Sequence, residues 1–231
     1  MKRTILFLML VVIVVLPAVA VDLQSIKMIS IPETNIKMME IEVPQALYNA
    51  IMGNNPSKFK GDNLPVENVS WYDAIMFCNE LSKEYNYKPV YNLSITGKGV
   101  FVTRDPSANG FRLPTEEEWE FAARGGESYK YAGSDNIDEV AWHHFNSGGH
   151  THWVGQKKPN GYGLYDMSGN VEEWCECLTS DFFRYLRGGD WRFDEKSCRI
   201  SDRTTALPEW TGFDATNDYG IFGFRVVMEI K

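Results

Sequence analysis

Histidine and cysteine, the side chains of most metal centres and thiol nucleophiles, number only four each in this chain of 231 residues. All four histidines lie close together, at His143, His144, His150 and His152. Adjacent histidines on a strand point to opposite faces, and no cysteine or HxxxH pattern accompanies them, so a packed or solvated loop is favoured over a zinc site. The chain also lacks GxSxG, P-loop, GxGxxG, HExxH and EF-hand patterns. No catalytic motif of these types is therefore predicted.

The four cysteines are Cys78, Cys175, Cys177 and Cys198. They allow three full disulfide pairings, although Cys175 and Cys177 are too close in sequence to bridge each other comfortably. Four cysteines are too few for a disulfide scaffold in a chain of this length. Buried free thiols are the favoured interpretation, and disulfides remain the alternative.

A tight glycine turn between Asp166 and Glu173 is the one acidic segment with the chemistry of a cation site. Calcium prefers six to eight oxygen ligands from carboxylates and backbone carbonyls, and a turn of this kind exposes both. A solvated acidic turn explains the same residues without any ion. Spacing alone favours the solvated turn.

The segment 187–227 carries aromatic and small polar residues between two strand-like pieces. Strand alternation about Trp191 would bury its indole and point Asp190 and Arg192 outward. Large rings beside small hydrogen-bonding groups are typical of a recognition surface. The alternative is an ordinary surface loop with one or two rings tucked beneath it.

Two helices, over 70–85 and 115–124, are predicted to position these segments, and 45–52 is a candidate for a third, short helix. Ser70 with Asp73, and Thr115 with Glu118, form capping boxes at the starts of the two predicted helices. The glutamates at the start of 115–124 are explained by the helix dipole and need no catalytic role. Beyond residue 127 the sequence predicts only loops and short strands, so the fold class is α+β without a βαβ rhythm.

Composition and charge exclude several classes of partner. The net charge is −8, the pI is about 5.1 and no Lys/Arg run occurs, so neither nucleic acid nor an anionic lipid surface is an expected partner. The hydrophobic fraction of 44% excludes global disorder.

Residues 1–20 have the pattern of a secretory signal peptide. Lys2 and Arg3 precede an apolar run over 5–16, and a small-x-small site ends at Ala20. Such a run is too short to span a bilayer core of about 30 Å. The pattern predicts cleavage before Val21 and export to the periplasm, the outer surface or the medium, with an uncleaved anchor as the alternative. The mature chain, 21–231, is expected to be one domain without a transmembrane helix.

Six sequence motifs follow one another along the chain. They are NNPS (54–57), PVENVSW (65–71), GFRLPTE (110–116), NGYGLYDMSGNV (160–171), RGG (187–189) and GFR (223–225). In these motifs the chain resembles the formylglycine-generating-enzyme (sulfatase-modifying factor) domain family over roughly 28–228. The resemblance implies a C-type-lectin-like fold of two helices, short antiparallel strands and much irregular structure.

The same resemblance bears on catalysis and on metals. In the oxidising members a cysteine pair follows the Arg-Gly-Gly motif, and the two places fall here at Phe193 and Cys198. Phenylalanine can neither ligate copper nor act as a thiol nucleophile, so no catalytic residue and no copper are predicted. The family's structural calcium site is carried over onto the side chains of Asp166 and Glu173 and the carbonyls of Gly169 and Val171.

A non-enzymatic branch gives a fuller match, namely the variable proteins of diversity-generating retroelements, especially the treponemal members. In that branch, replacement of adenines in AAY codons diversifies a C-terminal lectin-fold surface. The resemblance makes 183–213 a candidate variable region that binds a macromolecular ligand, expected to be a protein. Its candidate ligand-binding residues can all be reached from AAY codons: Phe183, Tyr185, Asp190, Arg192, Phe193, Asp194, Ser197, Asp202, Thr204, Thr205, Ala206 and Phe213.

Two other functions remain open at this point. One is a formylglycine-generating oxidase, or a sulfatase activator, with an altered active site. The other is an accessory envelope protein with one fixed partner and no diversification.

Overall fold

The computed structural model describes residues 26–97, 99–177, 182–211 and 221–230. The predicted signal peptide and Phe213 lie outside these ranges. The helices are α1 (Gln45–Met52), α2 (Trp71–Glu84), α3 (Glu116–Arg124) and α4 (Ile137–Val140). The strands are β1 (Met28–Ser30), β2 (Ile36–Met39), β3 (Tyr91–Thr96), β4 (Gly99–Arg104), β5 (Glu172–Trp174), β6 (Arg184–Arg187), β7 (Arg203–Ala206), β8 (Phe222–Gly223) and β9 (Val227–Glu229).

The two predicted helices are confirmed as α2 and α3, and the candidate third helix is confirmed as α1. Both predicted capping boxes are present. The Ser70 and Thr115 hydroxyls accept the backbone N–H of Asp73 and Glu118, respectively, and the carboxylate of each acidic residue accepts the backbone N–H of the capping residue. Gly53 ends α1 in the left-handed conformation, at φ 73°. The short helix α4 was not predicted, because one turn leaves no periodicity to detect.

The strands form three sheets, ordered β1-β2-β9, β3-β4 and β7-β6-β5-β8. The first sheet joins the start of the domain to its end through the antiparallel pair of β2 and β9. The third sheet departs from the predicted antiparallel arrangement, because β5 runs parallel to β8. A long connection between these two strands allows the chain to re-enter the sheet in the same direction.

Large rings fill the core. Tyr48 stacks on Phe77 at 5.5 Å between ring centroids, and Phe77 meets Phe224 edge-on at 5.2 Å. A second cluster packs Trp119 of α3 against Met38 of β2. This α+β arrangement leaves the β7-β6 edge of the third sheet carrying the candidate variable region. Within the described ranges, no helix is both long enough and apolar enough to cross a bilayer.

Candidate recognition surface

The candidate variable region is built on β6, a double-glycine turn and β7. Tyr185 of β6 pairs with Thr205 of β7 in antiparallel register. Gly188 and Gly189 have φ values of 94° and 68°, and a Cβ on Gly189 would lie 2.6 Å from the Ser197 carbonyl. Glycine is therefore required where the turn meets the following loop.

Most of the predicted ligand-binding side chains reach the surface. Phe183 is 51% exposed, and Asp194 and Thr205 are also exposed. A further set is partly exposed: Tyr185, Arg192, Phe193, Ser197, Asp202 and Thr204. Phe182, at 82% exposure, belongs to the same surface but was not predicted. Its position next to Phe183 is the only sequence signal that could have indicated it.

Two predicted contact residues are buried instead. Asp190 is 0% exposed and Ala206 is 2% exposed, so neither side chain lies on the surface. The prediction that Asp190 points outward is wrong because the chain turns here and does not continue as a strand. The Asp190 carboxylate accepts a hydrogen bond from the backbone N–H of Arg192 at 2.6 Å. The backbone carbonyl of Asp190 accepts one from the backbone N–H of Phe193 at 3.1 Å.

Phe193, at the first cysteine position of the oxidising members, is held at the edge of this turn. The Arg192 guanidinium lies 5.5 Å from the Phe193 ring centroid. The Phe193 carbonyl accepts the His144 backbone N–H at 3.0 Å. The histidine-containing loop thus borders the predicted surface, a juxtaposition that sequence spacing did not indicate.

Cys198, at the second cysteine position, is 0% exposed and packs beside Tyr131 and Val140. Burial raises the pKa of the Cys198 thiol well above its usual range, and the nearby carboxyls of Asp190 and Glu172 raise it further. A reactive cysteine needs the opposite environment, one that stabilises the thiolate. Cys78, Cys175 and Cys198 are buried free thiols, whereas Cys177 is only partly buried.

Two buried carboxyl groups, those of Glu172 and Asp190, lie beneath the recognition surface. Burial and the neighbouring Asp190 carboxyl raise the pKa of Glu172 to about 8. The Thr204 hydroxyl donates to Glu172 Oε1 at 2.7 Å. Sequence reasoning missed Glu172, because no local pattern distinguishes it from its neighbour in the Glu-Glu pair.

The predicted calcium ligands are placed around an arginine. Arg225, which is 0% exposed, donates from Nη2 and Nε to the two Glu173 oxygens at 2.6 and 2.7 Å. The Trp119 indole also donates to Glu173 Oε2, at 2.7 Å. Asp166 is buried, which raises the pKa of its carboxyl to about 6.

This arrangement fits an ion pair better than a calcium site, because calcium at Glu173 would have to displace Arg225. Gly169 and Val171 lie in the turn as predicted, and their N–H groups donate to Gly188 and to Glu42. Among the described residues, no three His, Cys, Asp or Glu side chains are grouped to hold a metal. The calcium site stays a prediction.

Comparisons with known proteins agree with this architecture. The profile of the sulfatase-modifying factor enzyme 1-like domain matches residues 17–230. Treponema denticola variable protein 1, a solved structure, superposes with a TM-score of 0.73 at 33% identity, covering 88% of this chain and 92% of that one. The C-type-lectin-like fold is thereby confirmed.

Two curated relatives of this chain are named for different functions. The chain is 39% identical over 224 residues to "Chaperone protein LppX" of Paenibacillus barcinonensis, covering 80% of this chain and 77% of the relative. It is 31% identical over 220 residues to the formylglycine-generating enzyme of Thermomonospora curvata, covering 77% of this chain and 63% of that enzyme.

Proposed function

Because this chain belongs to the sulfatase-modifying factor enzyme 1-like family, we propose that it uses the family's fold for ligand recognition and not for cysteine oxidation. The protein is exported. Residues of its C-terminal region form a diversified surface that binds a macromolecular ligand, most simply another protein. The likeness to a variable protein at 33% identity supports this assignment.

One observation carries the proposal: the position that needs a thiol holds Phe193, and the remaining thiol, Cys198, is buried beside two carboxyls. A thiolate is the nucleophile and the metal ligand in cysteine chemistry. Burial next to acidic groups disfavours that thiolate. The chain therefore retains the scaffold without a reactive cysteine pair.

The exposed residues fit recognition. Phe183 and Phe193 provide rings at the surface, and Arg192, Asp194 and Thr205 provide charge and hydrogen-bonding groups beside them. Rings lose little conformational entropy on binding, while the polar groups adapt to the partner. These side chains stand on a sheet edge and on tight turns, so their replacement leaves the core unchanged.

The test of catalysis is direct. Purified mature protein is incubated with copper, oxygen and a cysteine-containing peptide, next to a formylglycine-generating enzyme as positive control. We expect no loss of thiol and no aldehyde by mass spectrometry. Conversion of the peptide cysteine to an aldehyde would establish the oxidase alternative, which the 31% identity to the Thermomonospora enzyme favours.

The test of diversification lies in the flanking DNA. We expect a near-copy of the 3′ coding segment, differing only at adenines, beside a reverse-transcriptase gene. The codons of Trp191, Glu195 and Lys196 should be unchanged in every variant, because AAY codons altered at their adenines cannot encode these residues.

A fixed-partner function is the second candidate, favoured by the 39% identity to a protein named as a chaperone. It predicts no template copy and an invariant set of surface residues among isolates. The protein sequence of 183–213 in several isolates separates the two functions.

Export is tested by sequencing the N-terminus of the protein recovered outside the cytoplasm. The recovered protein should begin at Val21.

A further inference from the structure

A groove beside the recognition surface is walled by rings and basic groups. It has a volume of about 460 Å³ and is lined in part by Phe59, Lys60, His150, Thr151, Trp153 and Gln156. Trp153 is 56% exposed, so its indole is open to a ligand. The groove is not among the segments that sequence reasoning had assigned to binding.

The charges around this groove oppose those of the whole chain. Among the described residues no carboxylate lines it, although the chain has 31 acidic and 23 basic residues. Lys60 lines it, and Lys58 lies 5.9 Å from the Phe59 ring centroid. The carboxyl of Glu67, which accepts the Phe59 backbone N–H, is buried, and burial raises its pKa to about 7. The groove therefore favours an anionic ligand.

A series of ring contacts, one stacked and the others tilted or edge-on, runs from the groove toward the candidate recognition surface. His152 stacks on Trp142 with centroids 3.8 Å apart, and the ring of His150 is 4.4 Å from that of His152. Phe59 then contacts His150 at 6.1 Å and Trp191 at 5.6 Å. Trp191 is buried and immediately precedes Arg192 and Phe193, so these ring contacts link the groove wall to the segment that carries both residues.

The groove also holds an unused hydrogen-bonding group. The Thr151 hydroxyl is buried and finds no hydrogen-bond partner among the described residues. A buried hydroxyl without a partner is costly unless a ligand or water satisfies it. Thr151 and Lys60 both line this groove.

We propose that this groove is a fixed subsite for an acidic polypeptide segment that carries an aromatic residue. The ligand carboxylates lie against Lys60 and Thr151, and its ring lies against Phe59 and Trp153. A peptide is favoured over a small anion because the groove, at about 460 Å³, is far larger than one carboxylate and offers rings beside Lys60. This inference rests on the proposed function, since it supplies a constant anchor beside the diversified residues.

The experiment uses the mature chain and fluorescein-labelled hexapeptides measured by fluorescence anisotropy. We expect saturable binding of an alternating glutamate–tyrosine peptide, and at least about tenfold weaker binding of lysine–tyrosine and glutamate–serine peptides. Lys60→Glu and Trp153→Ala should each weaken binding of the first peptide about tenfold, or ~1.4 kcal/mol. Both side chains are exposed, so the folded structure is retained.

Matched controls are Lys83→Glu on α2 and Phe101→Ala on β4, two exposed side chains that do not line the groove. We expect changes below twofold. Equal affinity for the lysine–tyrosine peptide, or groove variants that bind like wild type, would overturn the proposal. So would binding of an oligogalacturonate in place of the peptide.

The assay also separates this proposal from the proposed function. If Arg192→Ala and Phe193→Ala abolish peptide binding while the groove variants do not, the groove assignment fails and surface recognition stands. If the peptide assay succeeds while the aldehyde assay gives product, the groove stands and the non-enzymatic function fails.

Discussion

At the scale of single residues, burial decides what each titratable group can do. Cys198 and Glu172 have ordinary side chains, yet burial raises the pKa of both. Arg225 and Glu173 are both fully buried and satisfy each other's charge. The family resemblance carried calcium over onto Glu173, and the sequence showed no sign of Arg225 as its partner, because a carboxylate's partner across the fold is not encoded locally.

Thiol labelling tests the state of the cysteines. In native protein we expect iodoacetamide to modify Cys177 well before Cys78, Cys175 and Cys198, since those three are buried. Burial also raises the pKa of these three thiols. Peptide mass spectrometry after labelling measures each site. Full labelling in urea is the control, and rapid native modification of Cys198 would contradict the structure.

Removal of the buried cation tests the ion pair. Arg225→Met leaves the Glu173 carboxylate buried without its guanidinium, so we expect a loss of roughly 3–5 kcal/mol in the free energy of unfolding. Urea denaturation measures it. Arg203→Met is the matched control, since Arg203 forms an exposed pair with Glu116 worth at most about 1 kcal/mol. Similar losses in the two variants would contradict this account.

At the scale of elements, local sequence was sufficient for the three longer helices and insufficient for α4 and the sheets. Helices α2 and α3 begin at capping boxes that are visible as Ser70–Asp73 and Thr115–Glu118. The parallel pair of β5 and β8 was missed, because pairing partners far apart in sequence leave no local trace. The turn at Asp190 was mistaken for a strand for the same reason.

The α3 capping box gives a test at this scale. Thr115→Ala removes the hydroxyl that accepts the Glu118 backbone N–H, so we expect a loss of about 1 kcal/mol in unfolding free energy. Thr115→Ser keeps the hydroxyl and should lose only a fraction of that amount. Chemical denaturation compares the variants, and equal losses would show that the cap contributes nothing.

At the scale of the whole molecule, several carboxyl groups of this acidic chain are buried in the interior. Burial raises the pKa of Glu67 to about 7, of Asp166 to about 6 and of Glu172 to about 8, and it also raises that of Glu42. Each group binds its proton more tightly folded than unfolded. The stability they contribute is therefore largest below the unfolded pKa and is lost as the pH rises through the folded values.

A pH series of thermal melts tests this balance. We expect Tm to fall by at least about 4 °C between pH 5 and pH 8, which corresponds to roughly 1–2 kcal/mol at this chain length. Glu172→Gln keeps an acceptor for Thr204 and should make the decline shallower. Glu209→Gln, at an exposed position, is the control and should leave the slope unchanged. A Tm that rises over this range would contradict the assignment.

The sequence by itself determined the family, the three main helices and the phenylalanine at position 193, where the family resemblance places the first cysteine, because motifs, caps and residue identities are local properties. Only the tertiary structure decided that Asp190 is buried, that Arg225 pairs with the Glu173 carboxylate, and that the histidine loop contacts the candidate recognition surface at Phe193. Burial and charge pairing depend on segments distant in the chain, and no spacing along the sequence specifies them.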